Sequence, residues 1–179
     1  MASVGSVNTN SSHQFSKQPA AQISLIEGHG VQGDAHFGQT VKHRSRVAQD
    51  PSQANLRQVH LIHQELLTDL KQRGFNVGPG DLGENVTTHG VDLLALPLDT
   101  VLKIGPDALI RLTGLRNPCY QIDDFQQGLL KQVLVREADG SVVRKTGVMA
   151  VVEKGGLVRS GDLIEILLPP GEKVPLAPV

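Results

Sequence analysis

Residues 100–115 read TVLKIGPDALIRLTGL, and this stretch decides the fold class. Two aliphatic runs, 100–104 and 108–115, flank Gly105-Pro106-Asp107, a turn that neither a helix nor a sheet ladder continues, so the pair is expected to form a β-hairpin. The second run leads into Arg116-Asn117-Pro118-Cys119-Tyr120. Pro118 forces the backbone to turn there and project the next side chain. Outward from this hairpin, residues 147–152 and 162–168 read as two more strands, separated by Gly-Gly and Ser-Gly turns. Residues 22–27 form a short β-favourable run ending in Gly28-His29-Gly30-Val31-Gln32-Gly33-Asp34, where three glycines permit positive φ and close backbone approach to a ligand. Val59, Ile62, Leu66, Leu67 and Leu70 recur at helical spacing until Gly74, yet Val59 and Leu61 also alternate. We read a strand over 57–62 feeding a helix from His63. A second helix is expected over 123–136, its positive end and Arg116 both near Cys119.

Short strands punctuated by glycine, with about two helices, predict a mainly β fold, a closed or nearly closed β-barrel rather than a parallel sheet. Residues 39–55 read as a long polar surface loop and residues 78–81 as a turn. Residues 1–22 are expected to be a disordered N-terminal tail, since the first twenty are rich in Ser, Asn and Gln with Lys17 as the only cation. The domain then spans 23–168, and the proline-rich residues 169–179 form a solvent-exposed end.

A chain of 179 residues is one domain of ordinary size. Its single cysteine excludes an intramolecular disulfide and a Cys-rich zinc site, and is compatible with a reducing compartment. A formal net charge of −1 and the absence of tryptophan argue against nucleic acid as a partner. No apolar run is long enough to span a bilayer, and the N-terminus resembles neither a signal nor a transit peptide, so the expected location is cytoplasmic, with no membrane partner.

Cys119 is the first candidate for chemistry, as ligand or nucleophile; its alternative reading is a small buried hydrophobe. His29, His36 and His43 are spaced by seven around the glycine loop and read as metal ligands or as polar and phosphate contacts, without a matching carboxylate pattern. Asp81 and Glu84 fit either an acid/base pair or hydrogen-bond acceptors that order a turn, the second being preferred. His63 reads as a core histidine. Arg44, Arg46, Arg57, Arg111 and Arg116 are dispersed in sequence and would line one anionic pocket only if the fold gathers them.

Gly30-Val31-x-Gly33-Asp34, Gly83-Glu84-Asn85-Val86 and Arg116-x-Pro118-Cys119-Tyr120, in that order, resemble a MOSC domain, named for the molybdenum cofactor sulfurase C-terminal domain. The resemblance covers residues 23–168 and is greatest to the type that confers resistance to 6-N-hydroxylaminopurine. Relative to that type, no further C-terminal helical segment is expected after Leu168. The resemblance implies a β-barrel that binds the molybdenum cofactor (Mo-molybdopterin), with Cys119 as metal ligand at the catalytic centre. It also implies cofactor contacts from Gly33, Asp34, His36, Arg57, Glu84, Asn85 and Arg116. The implied reaction removes oxygen from a small N-hydroxylated substrate such as a hydroxylaminopurine or an amidoxime. The Gly28-x-Gly30-x-x-Gly33 spacing is followed by a polar loop and opens no expected helix, and a single cysteine cannot hold an iron–sulfur cluster, so electrons are expected from an external reductase. The competing readings are a non-catalytic cofactor carrier or persulfide module, and a metal-free cysteine enzyme with a histidine base.

Overall fold

The hairpin forms as its sequence predicts. Strand β7 (Val101–Ile104) pairs antiparallel with β8 (Ala108–Leu115), Ile104 opposite Ala108. Along β8 burial alternates residue by residue, so Ala108, Ile110 and Leu112 enter the core while Leu109, Arg111 and Thr113 do not. A computed structural model describes residues 1–42 and 44–179. His43 lies outside the described residues.

The remaining strands are β1 (Ser3–Thr9), β2 (Gln18–Ala20), β3 (Gln22–Ile26), β4 (Gly30–Val31), β5 (Val59–His63), β6 (Val86–His89), β9 (Leu134–Arg136), β10 (Val142–Arg144), β11 (Val148–Lys154), β12 (Gly156–Arg159) and β13 (Ile164–Leu167). Eight build the main sheet in the order β13-β7-β8-β11-β5-β6-β1-β2, in which β5 and β6 run parallel and the other pairs antiparallel. A three-stranded sheet β12-β3-β4 and a two-stranded β10-β9 complete the mainly β architecture. The sheets do not close into a barrel, in contrast to the expected closure. The edge strand β2 contains Pro19, which has no N–H to donate to a further ladder. β1 and the start of β13 meet at an isolated bridge, Ser3 to Leu163, flanked by Val4 N–H donating to Asp162 O at 2.8 Å, Ile164 N–H to Ala2 O at 2.9 Å and Gly161 N–H to Val4 O at 2.8 Å.

Residues 1–22 are not a disordered tail. β1 sits between β6 and β2 in the main sheet, with Val4 and Val7 buried. A register shift between Val4 and Ser6 lets both valines, three residues apart, face the core. The C-terminal end is exposed but tied down as well: Leu115 N–H donates to Ala177 O at 2.8 Å and Leu98 N–H to Val174 O at 2.8 Å. Gly114 makes this approach possible, since a Cβ there would lie 2.5 Å from Ala177 O.

Helix α2 (Gln64–Gln72) follows β5, as expected, and buries Leu66, Leu67 and Leu70. The polar loop over 39–55 contains a short helix, α1 (Arg44–Gln49). The helix expected over 123–136 is broken into α3 (Gln121–Phe125) and α4 (Leu130–Val133), and Leu134 onward belongs to β9. Gly128 adopts φ of 84° between them, and Asp123 Oδ1 accepts from Leu130 N–H at 2.7 Å, so this carboxylate starts the second helix rather than extending the first. Two apolar clusters result. The larger lies against the main sheet; the smaller joins Ile62, Leu66, Leu67 and Leu70 to Val77, Leu82, Ile122, Leu129 and Val133, and through Ile122 it anchors the segment that follows Cys119. No helix among the described residues is long and apolar enough to cross a membrane.

Deleting residues 1–9 removes two buried valines and the ladder on the outer side of β6, which a dispensable tail would not supply. The truncated chain is expected to lose its single cooperative urea transition. An unchanged midpoint would return this segment to the status of a tail.

Candidate functional site

The site is built around a buried carboxylate. Asp34, at the end of the glycine loop, accepts from Lys17 Nζ at 2.6 Å, with both side chains almost wholly enclosed. The same Oδ2 faces Asn85 Nδ2 at 3.1 Å, Thr9 Oγ1 at 3.3 Å and Asn10 N–H at 3.3 Å, while Oδ1 accepts from His36 N–H at 3.0 Å and lies 3.3 Å from His36 Nδ1. Burial alone would raise the pKa of Asp34. The His36 hydrogen bonds and the Lys17 charge outweigh it and hold the carboxyl well below the usual range.

From Asp34 the polar contacts run inward. Asn85 Oδ1 accepts from His60 N–H at 3.1 Å, and Asn85 Nδ2 also approaches Asn8 O at 3.3 Å. The Asn85 amide, expected to face a ligand, is thus occupied by protein partners and nearly without exposure. His60 Nε2 meets Thr146 O at 2.7 Å, and Thr146 Oγ1 donates to Arg116 O at 3.3 Å. Burial, and then the Arg116 charge, push the pKa of His60 down to about 3, so the ring is neutral. A continuous polar path therefore connects Lys17 to the turn that bears Cys119.

That turn is ordered locally. Arg116 N–H donates to Gly147 O at 3.0 Å, Arg144 Nε donates to Asn117 Oδ1 at 2.9 Å, and Pro118 is buried. Cys119 is half-buried, its Sγ 3.5 Å from Gln121 Oε1. The Arg116 guanidinium lies 5.8 Å from the centroid of Phe15 and within electrostatic reach of Cys119 and Glu84. Burial lowers the pKa of Arg116, and those two groups oppose the shift. Arg57 is lowered to about 10 by burial and then by the charges of Arg46 and Arg116. Arg57 Nε and Arg116 Nη1 are enclosed and have no hydrogen-bond partner among the described residues.

Of the five arginines singled out in the sequence, Arg46, Arg57 and Arg116 thus share one neighbourhood. Arg111 does not join them; its Nε and Nη1 bind Glu153 and Asp99, each at 2.7 Å. The side chain of Arg44 lies outside the described residues. His29 turns away to stack on Phe37, with ring centroids 5.4 Å apart, and His36 contacts His13 edge to face. His63 occupies the N-cap position of α2 without a side-chain capping bond, and its Nδ1 is enclosed without a partner among the described residues. Among the described residues no three His, Cys, Asp or Glu side chains converge to hold a metal ion.

Glu84 is fully buried. Its Oε1 accepts from Gly80 N–H at 2.6 Å and Thr87 Oγ1 at 3.0 Å, while Oε2 has no partner among the described residues. Asp81 Oδ2 accepts from Gly78 N–H at 2.7 Å, so both acids order the turn, the reading preferred from sequence. Burial pushes the pKa of Glu84 up to about 7. Residues 15–17 cross this turn: Lys17 N–H donates to Gly80 O at 2.8 Å and Ser16 Oγ to Asp81 O at 2.8 Å. Gly83, at φ of 87°, admits Phe15 O where a Cβ would stand 2.6 Å from it. Sequence reasoning missed Lys17, Phe15, His60 and Thr146 as parts of the site. Lys17, alone as a cation in its polar segment, was the one visible signal.

Two substitutions are expected to change the pH dependence of stability at opposite ends. Asp34, with its folded pKa lowered, contributes stability above its ordinary value of 3.8 that is lost as the pH falls. Asp34→Asn should remove this acid-side loss, and by leaving Lys17 buried without its counter-charge should cost ~3–5 kcal/mol at neutral pH. Glu84, with its folded pKa raised, makes stability fall as the pH climbs from 4.5 to about 7. Glu84→Gln should flatten that decline and leave the variant more stable than the parent at pH 8. Urea denaturation across pH 3–9 checks both.

The sequence profile of the MOSC domain matches residues 32–165. YuaD of Bacillus subtilis (strain 168) is 30% identical, the alignment covering 76% of this chain and 76% of that protein. The crystal structure of YuaD superposes with a TM-score of 0.74 at 26% identity, covering 93% of this chain and 96% of that one. YiiM from Geobacillus stearothermophilus shares the fold at a TM-score of 0.68 and 16% identity, over 98% of this chain and 80% of its own. The profile takes in the Gly33-Asp34 end of the glycine loop, the buried Glu84-Asn85 turn and the Cys119 turn together, and on that match the chain belongs to the MOSC domain family.

Proposed function

We propose that this chain binds the molybdenum cofactor through Cys119 and reduces small N-hydroxylated compounds in the cytoplasm, as the hydroxylaminopurine-resistance type of MOSC protein does. The observation that carries this reading is one half-buried thiol within electrostatic reach of Arg116, with Arg57 near that guanidinium and one enclosed nitrogen on each arginine that has no partner among the described residues. A single thiolate cannot retain a bare ion, but it supplies a soft ligand to a metal that arrives already chelated. Arg46, Arg57 and Arg116 hold like charges together, and an anionic group such as a phosphate would relieve their repulsion and satisfy Arg57 Nε and Arg116 Nη1. The donor set therefore fits this cofactor. At Gly33, φ is 80° and the space a Cβ would occupy is open, which leaves its backbone approachable.

When bound, the cofactor supplies two-electron removal of oxygen from an N–OH group. Cys119 would hold the metal, and Arg57 and Arg116 would bind the anionic end, with Gly33 and His36 at the loop beside it. Asp34, Glu84 and Asn85 act one step back, fixing the loops that aim those groups. Electrons would come from a separate reductase.

A second reading rests on YuaD, whose name refers to metal-sulfur cluster biosynthesis. On that reading Cys119 would carry sulfur or present a cofactor to another protein. Metal and persulfide analysis of purified protein separates the two: stoichiometric molybdenum with pterin supports the reductase, and persulfide without molybdenum supports the transfer role.

Cys119→Ala is expected to abolish molybdenum retention, measured by elemental analysis, while leaving the circular dichroism spectrum unchanged. Full metal content in the variant would remove Cys119 from the ligand role. Cofactor-loaded protein is expected to reduce hydroxylaminopurine or benzamidoxime with reduced viologen and to be inactive with NADH alone, recovering when a reductase is added. Robust NADH-driven turnover by the isolated chain would refute the division of labour.

A further inference from the structure

Beside Cys119 a groove of about 350 Å³ opens between residues 14–16 and α3, lined by Gln14, Phe15, Ser16, Gln121, Asp124 and Phe125. Its walls are aromatic: the rings of Phe15 and Phe125 lie 6.0 Å apart, tilted by 43°. Its charge is negative. Asp124 is the only ionisable group in the lining, and among the described residues its carboxylate has no hydrogen-bond or ion-pair partner. Gln121 Oε1, already the acceptor facing Cys119 Sγ, places a further acceptor at the same mouth.

The Phe15 ring is also the one over which Arg116 sits, so it carries a cation from the arginine side and borders the acidic groove. The two sides of the site thus differ in sign: the Arg116 guanidinium toward Cys119, with one enclosed nitrogen unpartnered among the described residues, and the Asp124 carboxylate across Phe15. We propose that this groove is a subsite for planar organic cations, whose flat face packs against Phe15 and Phe125 and whose amidinium-type N–H groups donate to Asp124. An anionic or neutral ring of the same shape gains the aromatic contact without the charge-assisted bond. Binding of a cation needs no cofactor. Only its meaning as substrate or product selection rests on the reductase reading above.

The test is isothermal titration calorimetry of the full chain with three isosteric probes: benzamidine, benzamide and benzoate. Benzamidine is expected to bind at least about tenfold more tightly than benzamide, with benzoate weakest. Asp124→Asn should remove the preference, lowering benzamidine affinity about tenfold and leaving benzamide unchanged, and Phe125→Ala should weaken both. Cys119→Ala, expected to lose molybdenum, should keep the benzamidine preference. Equal affinity for benzamidine and benzamide, an undiminished preference in Asp124→Asn, or loss of the preference in Cys119→Ala would each overturn the proposal. Loss of molybdenum from the parent protein with the preference intact would instead count against the reductase reading alone.

Discussion

The Asp34 carboxylate is the constraint on which the site depends. It is buried, and an ionised carboxylate in that position is tolerable only because a buried ammonium, two amide donors and the His36 loop converge on it. Each donor comes from a different part of the chain: Lys17 from the segment after β1, Asn85 from the turn before β6, His36 from the loop after β4. The price of one misplaced member is an unpaired buried charge, so the three loops hold one relative position. Through Asn85, His60 and Thr146 the same requirement reaches the backbone of Arg116 and so the Cys119 turn.

Where burial follows sequence period, the fold was legible. The β7–β8 hairpin declares itself in alternating aliphatics around Gly105-Pro106-Asp107, and the β5–α2 junction in the change from period two to helical spacing after Ile62. β1 was hidden because its two core residues are three apart, a spacing that a regular strand splits between faces and that only the irregularity after Val4 reconciles. The break between α3 and α4 was hidden for a related reason. Residues 121–133 have helical composition, and only the capping of Leu130 by Asp123 and the positive φ of Gly128 divide them. Barrel closure lay beyond the sequence altogether, since it depends on whether distant edges complete a ladder.

The site was legible as a list of residues and less so as a division of roles. Asn85 and Glu84 stand in motifs that invite a ligand-facing role, yet the polar atoms of Asn85 are met by protein and Glu84 lies in a turn with one oxygen left over. Arg57 and Arg116, far apart in sequence, are the groups left with donors to give. Arg111, no less prominent in sequence, is neutralised by Asp99 and Glu153, which reach it from the β7 and β11 sides of β8. Counting arginines could not separate these cases; the positions of the carboxylates did.

The polar path from Lys17 to Arg116 also fixes an order of assembly. Its contacts span long loops, with 77 residues separating Asn8 from Asn85 and 86 separating His60 from Thr146. Closing such loops is entropically expensive and gives slow, late-forming structure. During synthesis the glycine loop and Lys17 emerge first, but the Cys119 turn acquires its backing only when Thr146 and Gly147 have left the ribosome and β11 has paired with β5 and β8. A nascent chain therefore exposes its only thiol before the Thr146 and Gly147 contacts that back the turn around it are in place.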